Sequence, residues 1–321
     1  MAKDLYEHAK SLKNLAPEKV AIEVSHVTKD YGKGRGLFDV SFIVPKGKTF
    51  GYCGTNGAGK TTTLRHIMGF LKPDSGEVKV YGMNAWKESA KIKKFIGYLP
   101  GEIAFPPLEN GSAFLEAQAE MLGLEDMSKA EKIINALQLD PTANLKRMSK
   151  GMKQKTALVA AFMHSPEIIL LDEPTTGLDP LMRDAFINII KEEKARGATI
   201  VMSNHMFDEL EETCDYVAFI KDGHIVDIVD MEEIHNRPFR EYKIWFADEN
   251  GFKNVDASQV EVLETFPESL AYLVRVPNEK IDGMFRELHK FNIAIIKEVQ
   301  YTLEKYFMEK VIGGENNEES K

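Results

Sequence analysis

The eight residues GTNGAGKT, Gly54 to Thr61, constrain this chain more than any other stretch. They match G-x-x-x-x-G-K-[ST], follow the apolar segment "KTFGYCG" and open the helical pattern "KTTTLRHIMGFL", so the spacing predicts a strand, a glycine loop and a helix. Glycines there let successive backbone N–H groups converge on phosphate oxygens, and the helix N-terminus adds the positive end of its dipole. Lys60 is then placed to reach the β- and γ-phosphates of a nucleotide, and the Thr61 hydroxyl to hold Mg2+. Gly54, Thr55, Asn56, Gly57, Ala58, Gly59 and Thr62 complete the expected nucleotide contacts.

A complement to that loop stands far along the chain. In "EIILLDE" four apolar residues, Ile168 to Leu171, form a buried strand that delivers Asp172 to its end as a magnesium-shell carboxylate. Glu173 follows at a position where the chain can turn and present a general base to an attacking water. "TIVMSNH" ends another apolar strand on His205, at the edge where open α/β sheets bind ligands.

Around these motifs the chain changes character several times. Residues 1–19 read as an N-terminal extension with a weak helical pattern over 4–15. Residues 20 to about 100 are β-rich, 103–165 carry helical spacing and no strand pattern, and alternating strands and helices return from "EIILLD" to "HIVDIV". After Pro238 a separate small α+β block is expected over 239–312, with Ile281, Met284, Phe285 and Leu288 on one helix face. No cluster of functional residues stands out in that block, and residues 313–321, rich in Glu, Asn and Gly, read as a disordered tail.

The basic stretch "NLKRMSKGMKQK", 144–155, is out of keeping with a chain of 50 acidic and 41 basic residues and net charge −9. Ser149 reads as a helix N-cap, which points its hydroxyl, the first amides and the dipole's positive end outward as an anion receptor. Gly151 has no Cβ to hold an anion away from the backbone. The overall negative charge and the absence of aromatic residues from the basic segment count against nucleic acid as its partner. Two cysteines, Cys53 and Cys214, lie in no CxxC pair, which argues against structural zinc. No apolar run approaches the ~20 residues needed to cross a bilayer.

With these residues assembled, residues 20–236 resemble the nucleotide-binding domain of ATP-binding cassette (ABC) transporters, and most closely the single-cassette subunits of export-type systems, in which "YLPGE", "SKGMKQK" and "GLDP" occur together. The resemblance implies a P-loop NTPase core of the α/β class with a mostly parallel sheet, an antiparallel β subdomain, a helical insertion and a small C-terminal α+β domain. It implies ATP and Mg2+, a homodimer or heterodimer of ATPase subunits, and a separate integral membrane permease that holds a cytoplasmic, peripheral subunit to the inner face of the membrane.

By the same resemblance Tyr31 stacks on adenine, His205 is the switch residue toward the γ-phosphate, and Asp179 in "EPTTGLDP" lies at the dimer contact. "MSKGMKQ" corresponds to the family's signature, so that Ser149, Gly151 and Gln154 belong with the nucleotide held by the opposite subunit. One position departs from the pattern: after "IGYLP" the family's usual Gln is replaced by Gly101 and Glu102. Glu102 is either a shifted carboxylate for Mg2+ or water, or an exposed loop acid. The alternative in another class is a soluble ATPase of the superfamily acting on ribosomes or DNA, though one phosphate loop and no coiled-coil or zinc insertion count against it.

Overall fold

Parallel strands are covered on both faces and therefore read as unbroken apolar runs, which is how the central sheet of this protein is encoded. A computed structural model describes residue 12, residues 15–255 and residues 260–309. Most of the helix expected over 4–15 and the tail expected over 313–321 lie outside the described residues.

The chain divides into two compact units, Met1–Met231 and Glu232–Lys321, a boundary five residues earlier than the sequence suggests. In the first, an antiparallel sheet is built from β1 (Val20–Asp30), β2 (Gly36–Pro45), β4 (Ser75–Val80) and β5 (Met83–Asn84), in the order β2-β1-β4-β5. The six-stranded sheet contains β3 (Thr49–Gly54), β6 (Ile96–Leu99), β7 (Ile168–Asp172), β8 (Thr199–Asn204), β9 (Tyr216–Lys221) and β10 (His224–Asp230). Its order is β10-β9-β3-β8-β7-β6, and every pairing is parallel except that of β9 with β10. Phe42, Phe50 and Tyr52 join the two sheets in one hydrophobic core.

Strand register sets up the site. In β8, Asn204 pairs with Cys53 of β3 and Ser203 with Asp172 of β7, so three parallel strands end within a residue of one another on the same edge. The helix α1 (Lys60–Ile67) leaves that edge directly after the glycine loop. Its N-cap Gly59 has φ 113° and a Cβ there would stand 2.5 Å from Leu37, so both conformation and space require glycine.

No strand occurs between Leu99 and Ile168. This insertion is helical, with α2 (Gly111–Leu122), α3 (Ser128–Ala136) and α4 (Lys150–Phe162). Asn110 caps α2 by accepting from the Ala113 amide at 2.9 Å, and Gly123 at φ 64° ends it. Two further helices flank the sheet: α5 (Pro180–Arg196), capped by Asp179 and closed by Gly197, and α6 (Phe207–Thr213).

The second unit is an antiparallel sheet of β11 (Phe239–Phe246), β12 (Glu261–Phe266), β13 (Ala271–Pro277) and β14 (Ile293–Val299), in the order β12-β13-β11-β14. Tyr242, Ile244 and Phe246 alternate onto one face and meet Met284 and Leu288 of α7 (Ile281–Leu288). Phe285, expected in that core, stays 42% exposed and instead sets its ring edge-on to Tyr242. On β11 the buried Glu241 accepts two bonds from Arg275, at 2.7 and 3.1 Å, and one from Lys305. Burial alone would raise this carboxyl, but the hydrogen bonds and charges of Lys305 and Arg275 outweigh it and hold Glu241 below the usual carboxylate range. A depressed carboxyl stabilises the fold above its unfolded value and loses that contribution as pH falls through the folded one. Glu241→Gln is expected to destabilise the second unit by about 1–3 kcal/mol at neutral pH. It should also flatten the acid limb of its unfolding curve, both read from Trp245 fluorescence in a Trp86→Phe background.

Candidate ATP site

At the carboxyl edge of the parallel sheet a cleft of about 400 Å³ opens, lined by Asn56, Gly57, Gly59, Lys60, Thr61, Thr62, Arg65, Gly101, Glu102, Asp172 and Glu173. Gly57 turns the loop at φ 84° and nothing stands within 4 Å of where its Cβ would be, so the backbone there is open to a ligand. The buried Lys60 lies with Nζ donating to the carbonyls of Gly54 at 2.7 Å and Thr55 at 3.2 Å. Its ammonium is also 3.4 Å from Glu173 Oε1. Phosphate oxygens would compete for this same ammonium. Beneath the loop, burial pushes the Cys53 thiol up to about 11, against the opposing pull of Lys60, so it stays a neutral neighbour.

Thr61 Oγ1 donates to Asp172 Oδ2 at 2.6 Å, and Ser203 Oγ donates to Asp172 Oδ1 at 2.6 Å. Two hard oxygen groups thus converge beside the cleft. Mg2+ favours such a donor set, because it keeps several waters and takes one or two protein oxygens plus phosphate oxygens. Thr61 and Asp172 therefore fit the metal. Glu102 lies exposed on the rim, and a Cβ at Gly101 would stand 2.9 Å from Asp172 Oδ2. The missing side chain at 101 is what leaves Asp172 in its present position.

Glu173 breaks the alternation of β7 by adopting φ 49°, a left-handed conformation that costs a non-glycine residue ~1–2 kcal/mol. Neighbouring groups hold it there. Its amide donates to Ser203 Oγ at 3.0 Å and to Ser203 O at 3.2 Å, and its carbonyl accepts from Gln154 Nε2 at 3.3 Å. The turn directs the carboxyl into the cleft rather than to the opposite sheet face.

Gln154 points into the chain's own interior. Expected among the nucleotide contacts, it is buried, and its Nε2 also donates to Pro174 O at 2.7 Å. Its amide is committed to positioning the Glu173 segment and does not line the cleft.

Ser149 caps α4 by accepting from the Met152 amide at 3.2 Å, and it is exposed. At Gly151 a Cβ would lie 2.7 Å from Gly177 O, so glycine is needed for α4 to pack against the loop between Glu173 and Asp179. Asp179 accepts from the Met182 amide at 3.0 Å as the cap of α5. None of Ser149, Gly151 and Asp179 lines the chain's own phosphate cleft. Tyr31, 49% exposed, and His205, also exposed, likewise stand outside it. Gly54, Thr55 and Ala58 belong to the same loop without lining the cleft.

Two contributors escape the sequence motifs. Arg65 reaches the cleft because it follows Thr61 by four residues and shares its helix face, a spacing that could have been noticed. Ser203 orients Asp172 only through strand register, for which the sequence carries no local signal.

The chain is similar to known proteins over much of its length. Residues 37–176 match the family model described as ABC transporter. The chain is 34% identical to the linearmycin resistance ATP-binding protein LnrL of Bacillus subtilis over 67% of its own length and 71% of that protein. It is 29% identical to the bacitracin transport ATP-binding protein BcrA of Enterococcus faecalis over 91% of its length and 96% of that protein. Among solved structures, an ATP-binding subunit of an ABC transporter superposes with TM-score 0.60 at 29% identity, over 67% of this chain and 92% of that one. A phosphate loop and a paired Asp-Glu strand end, in a chain this similar over this length, make the protein a member of the ABC transporter ATP-binding family, an ATPase.

Proposed function

We propose that this ATPase drives export of a substrate through a separate membrane permease, and that it does so by closing as a dimer around two Mg-ATP. The observation that carries the reading is the division of the site. The cleft gathers Lys60, Thr61, Asp172 and Glu173, whereas the helix start capped by the exposed Ser149, with the half-buried Gly151 behind it and Lys150 and Lys153 beside it, lies elsewhere on the chain. An outward-facing helix N-terminus suits phosphate oxygens presented by a second subunit. Tyr31 has the exposure needed to stack on adenine, and Asp179 the position to meet the partner.

In this mechanism the loop amides and Lys60 bind the β- and γ-phosphates. Bound at Thr61 and Asp172, Mg2+ supplies neutralisation of phosphate charge. Glu173 orients the attacking water and accepts its proton, while His205 approaches the γ-phosphate from the end of β8. Ser149 and Gly151 of the opposite subunit complete the shell. Because ATP touches both subunits, it stabilises the closed state by its differential contacts, and loss of the γ-phosphate releases them.

Among the described residues no helix is long and apolar enough to cross a membrane, which is consistent with a peripheral, cytoplasmic subunit held by its permease. The loop around Glu102 and the helical insertion are the proposed contact. Similarity to LnrL, a linearmycin resistance ATP-binding protein, and to BcrA, a bacitracin transport ATP-binding protein, supports an export role without specifying this protein's cargo.

Glu173→Gln keeps the shape of the site and removes the base. Turnover is expected to fall at least about 100-fold, and ATP should convert the variant into a dimer by size exclusion with light scattering. A strictly monomeric, fully active variant would contradict the reading. Glu102 is decided by titrating Mg2+ at fixed ATP: a metal role makes Glu102→Ala raise the half-activating concentration several-fold, and an unchanged value makes Glu102 a solvated loop acid.

A further inference from the structure

Glu209 is a buried carboxyl group that the mechanism above leaves unused. It lies on α6 with only 4% of its surface exposed, and its partners come from two different segments of the site. Oε2 accepts from Asn204 Nδ2 at 2.5 Å and from Thr175 Oγ1 at 2.7 Å.

Each partner is one step from a reacting group. Asn204 Oδ1 accepts the backbone N–H of His205 at 2.7 Å and that of Met206 at 3.0 Å, so the amide that Glu209 holds also shapes the turn carrying His205. Thr175 is two residues beyond Glu173. In that turn the Thr176 amide donates to Glu173 O at 3.2 Å and Thr176 Oγ1 to Glu173 Oε2 at 3.4 Å. One carboxyl oxygen therefore bridges the loop after β7 and the loop after β8.

The other oxygen is ion-paired rather than hydrogen-bonded. Glu209 Oε1 has no hydrogen-bond partner and faces Arg183 Nε, also buried and unbonded, at 4.0 Å. The bonds this side chain does make go to the two loops of the site.

We propose that Glu209 is a positioning residue for hydrolysis, fixing the turn of His205 and the turn after Glu173 in one register so that both groups meet the γ-phosphate together. This rests on the roles given above to Glu173 and His205. The charge and chemistry stay with those residues, and Glu209 sets only their relative placement. Misplacement of reacting groups by about 1 Å is enough to cost on the order of 100-fold in rate.

The test compares steady-state ATPase kinetics, ATP affinity and thermal unfolding for Glu209→Met, Thr175→Val and His205→Ala. Glu209→Met removes both acceptor oxygens at similar length, and Thr175→Val removes one bond at constant shape, so it stays informative if the first variant folds poorly. Both are expected to lower kcat roughly tenfold or more while KM for ATP stays within about twofold. In a His205→Ala background, Glu209→Met should add less than about twofold, because residues acting as a unit are not additive. Normal kcat in Thr175→Val and Glu209→Met, or an equal further loss in the His205→Ala background, would overturn the proposal. If His205→Ala is itself fully active, the reading of His205 fails and this role fails with it. Impaired His205→Ala beside normal Glu209→Met and Thr175→Val would sink the Glu209 role alone.

Discussion

The hydrogen bond from Thr61 Oγ1 to Asp172 Oδ2, 2.6 Å long, joins two segments 111 residues apart and is the contact on which the nucleotide site depends. One end belongs to the helix that follows the phosphate loop, the other to the end of β7. Sheet register brings them together. Because β3, β8 and β7 are parallel neighbours whose ends align, the phosphate loop, His205 and the Asp172–Glu173 pair all emerge on one edge. Both faces of these apolar strands are buried, so packing on each side of the sheet holds that register.

In the proposed mechanism phosphate binding is divided between two parts of the chain. The cleft holds a charged, inward-facing set around Lys60 and Asp172, while the helix start at Ser149 offers backbone amides and a dipole facing out. The two are mechanically connected within the chain. Gln154 of α4 donates to the carbonyls of Glu173 and Pro174, and Gly151 lets α4 rest against Gly177. A partner's phosphate arriving at Ser149 would thus press on the segment that holds this subunit's own Glu173. In the proposed dimer that linkage couples the two sites through packed backbone.

Much of this was legible in the sequence, and the reasons are physical. Strands β3, β7 and β8 announce themselves as apolar runs, and the glycine loop has few other uses between a strand and a helix. The helical insertion and the alternating strands of the second unit followed from periodicity. The bonds from Gln154 to the carbonyls of Glu173 and Pro174 were hidden, because a motif gives position along the chain and not the direction of a side chain. Ser203, Asn204 and Glu209 carried no signal, since a polar residue at a strand or helix end acquires its partner only through register. The left-handed turn at Glu173 was equally hidden, because it is imposed by Ser203 and Gln154 from elsewhere in the fold.

The central claim is that each site is shared between subunits, and mixing two inactive variants tests it most directly. Lys60→Ala disables the phosphate loop and Ser149→Arg blocks the helix start. If the site is shared, a mixed dimer retains one site built from the intact loop of one subunit and the intact helix start of the other. Purified, separately inactive variants should then recover ATPase activity on mixing, in proportion to the fraction of mixed dimer. Mixtures no more active than either variant alone, under conditions where light scattering confirms dimer formation, would contradict the account.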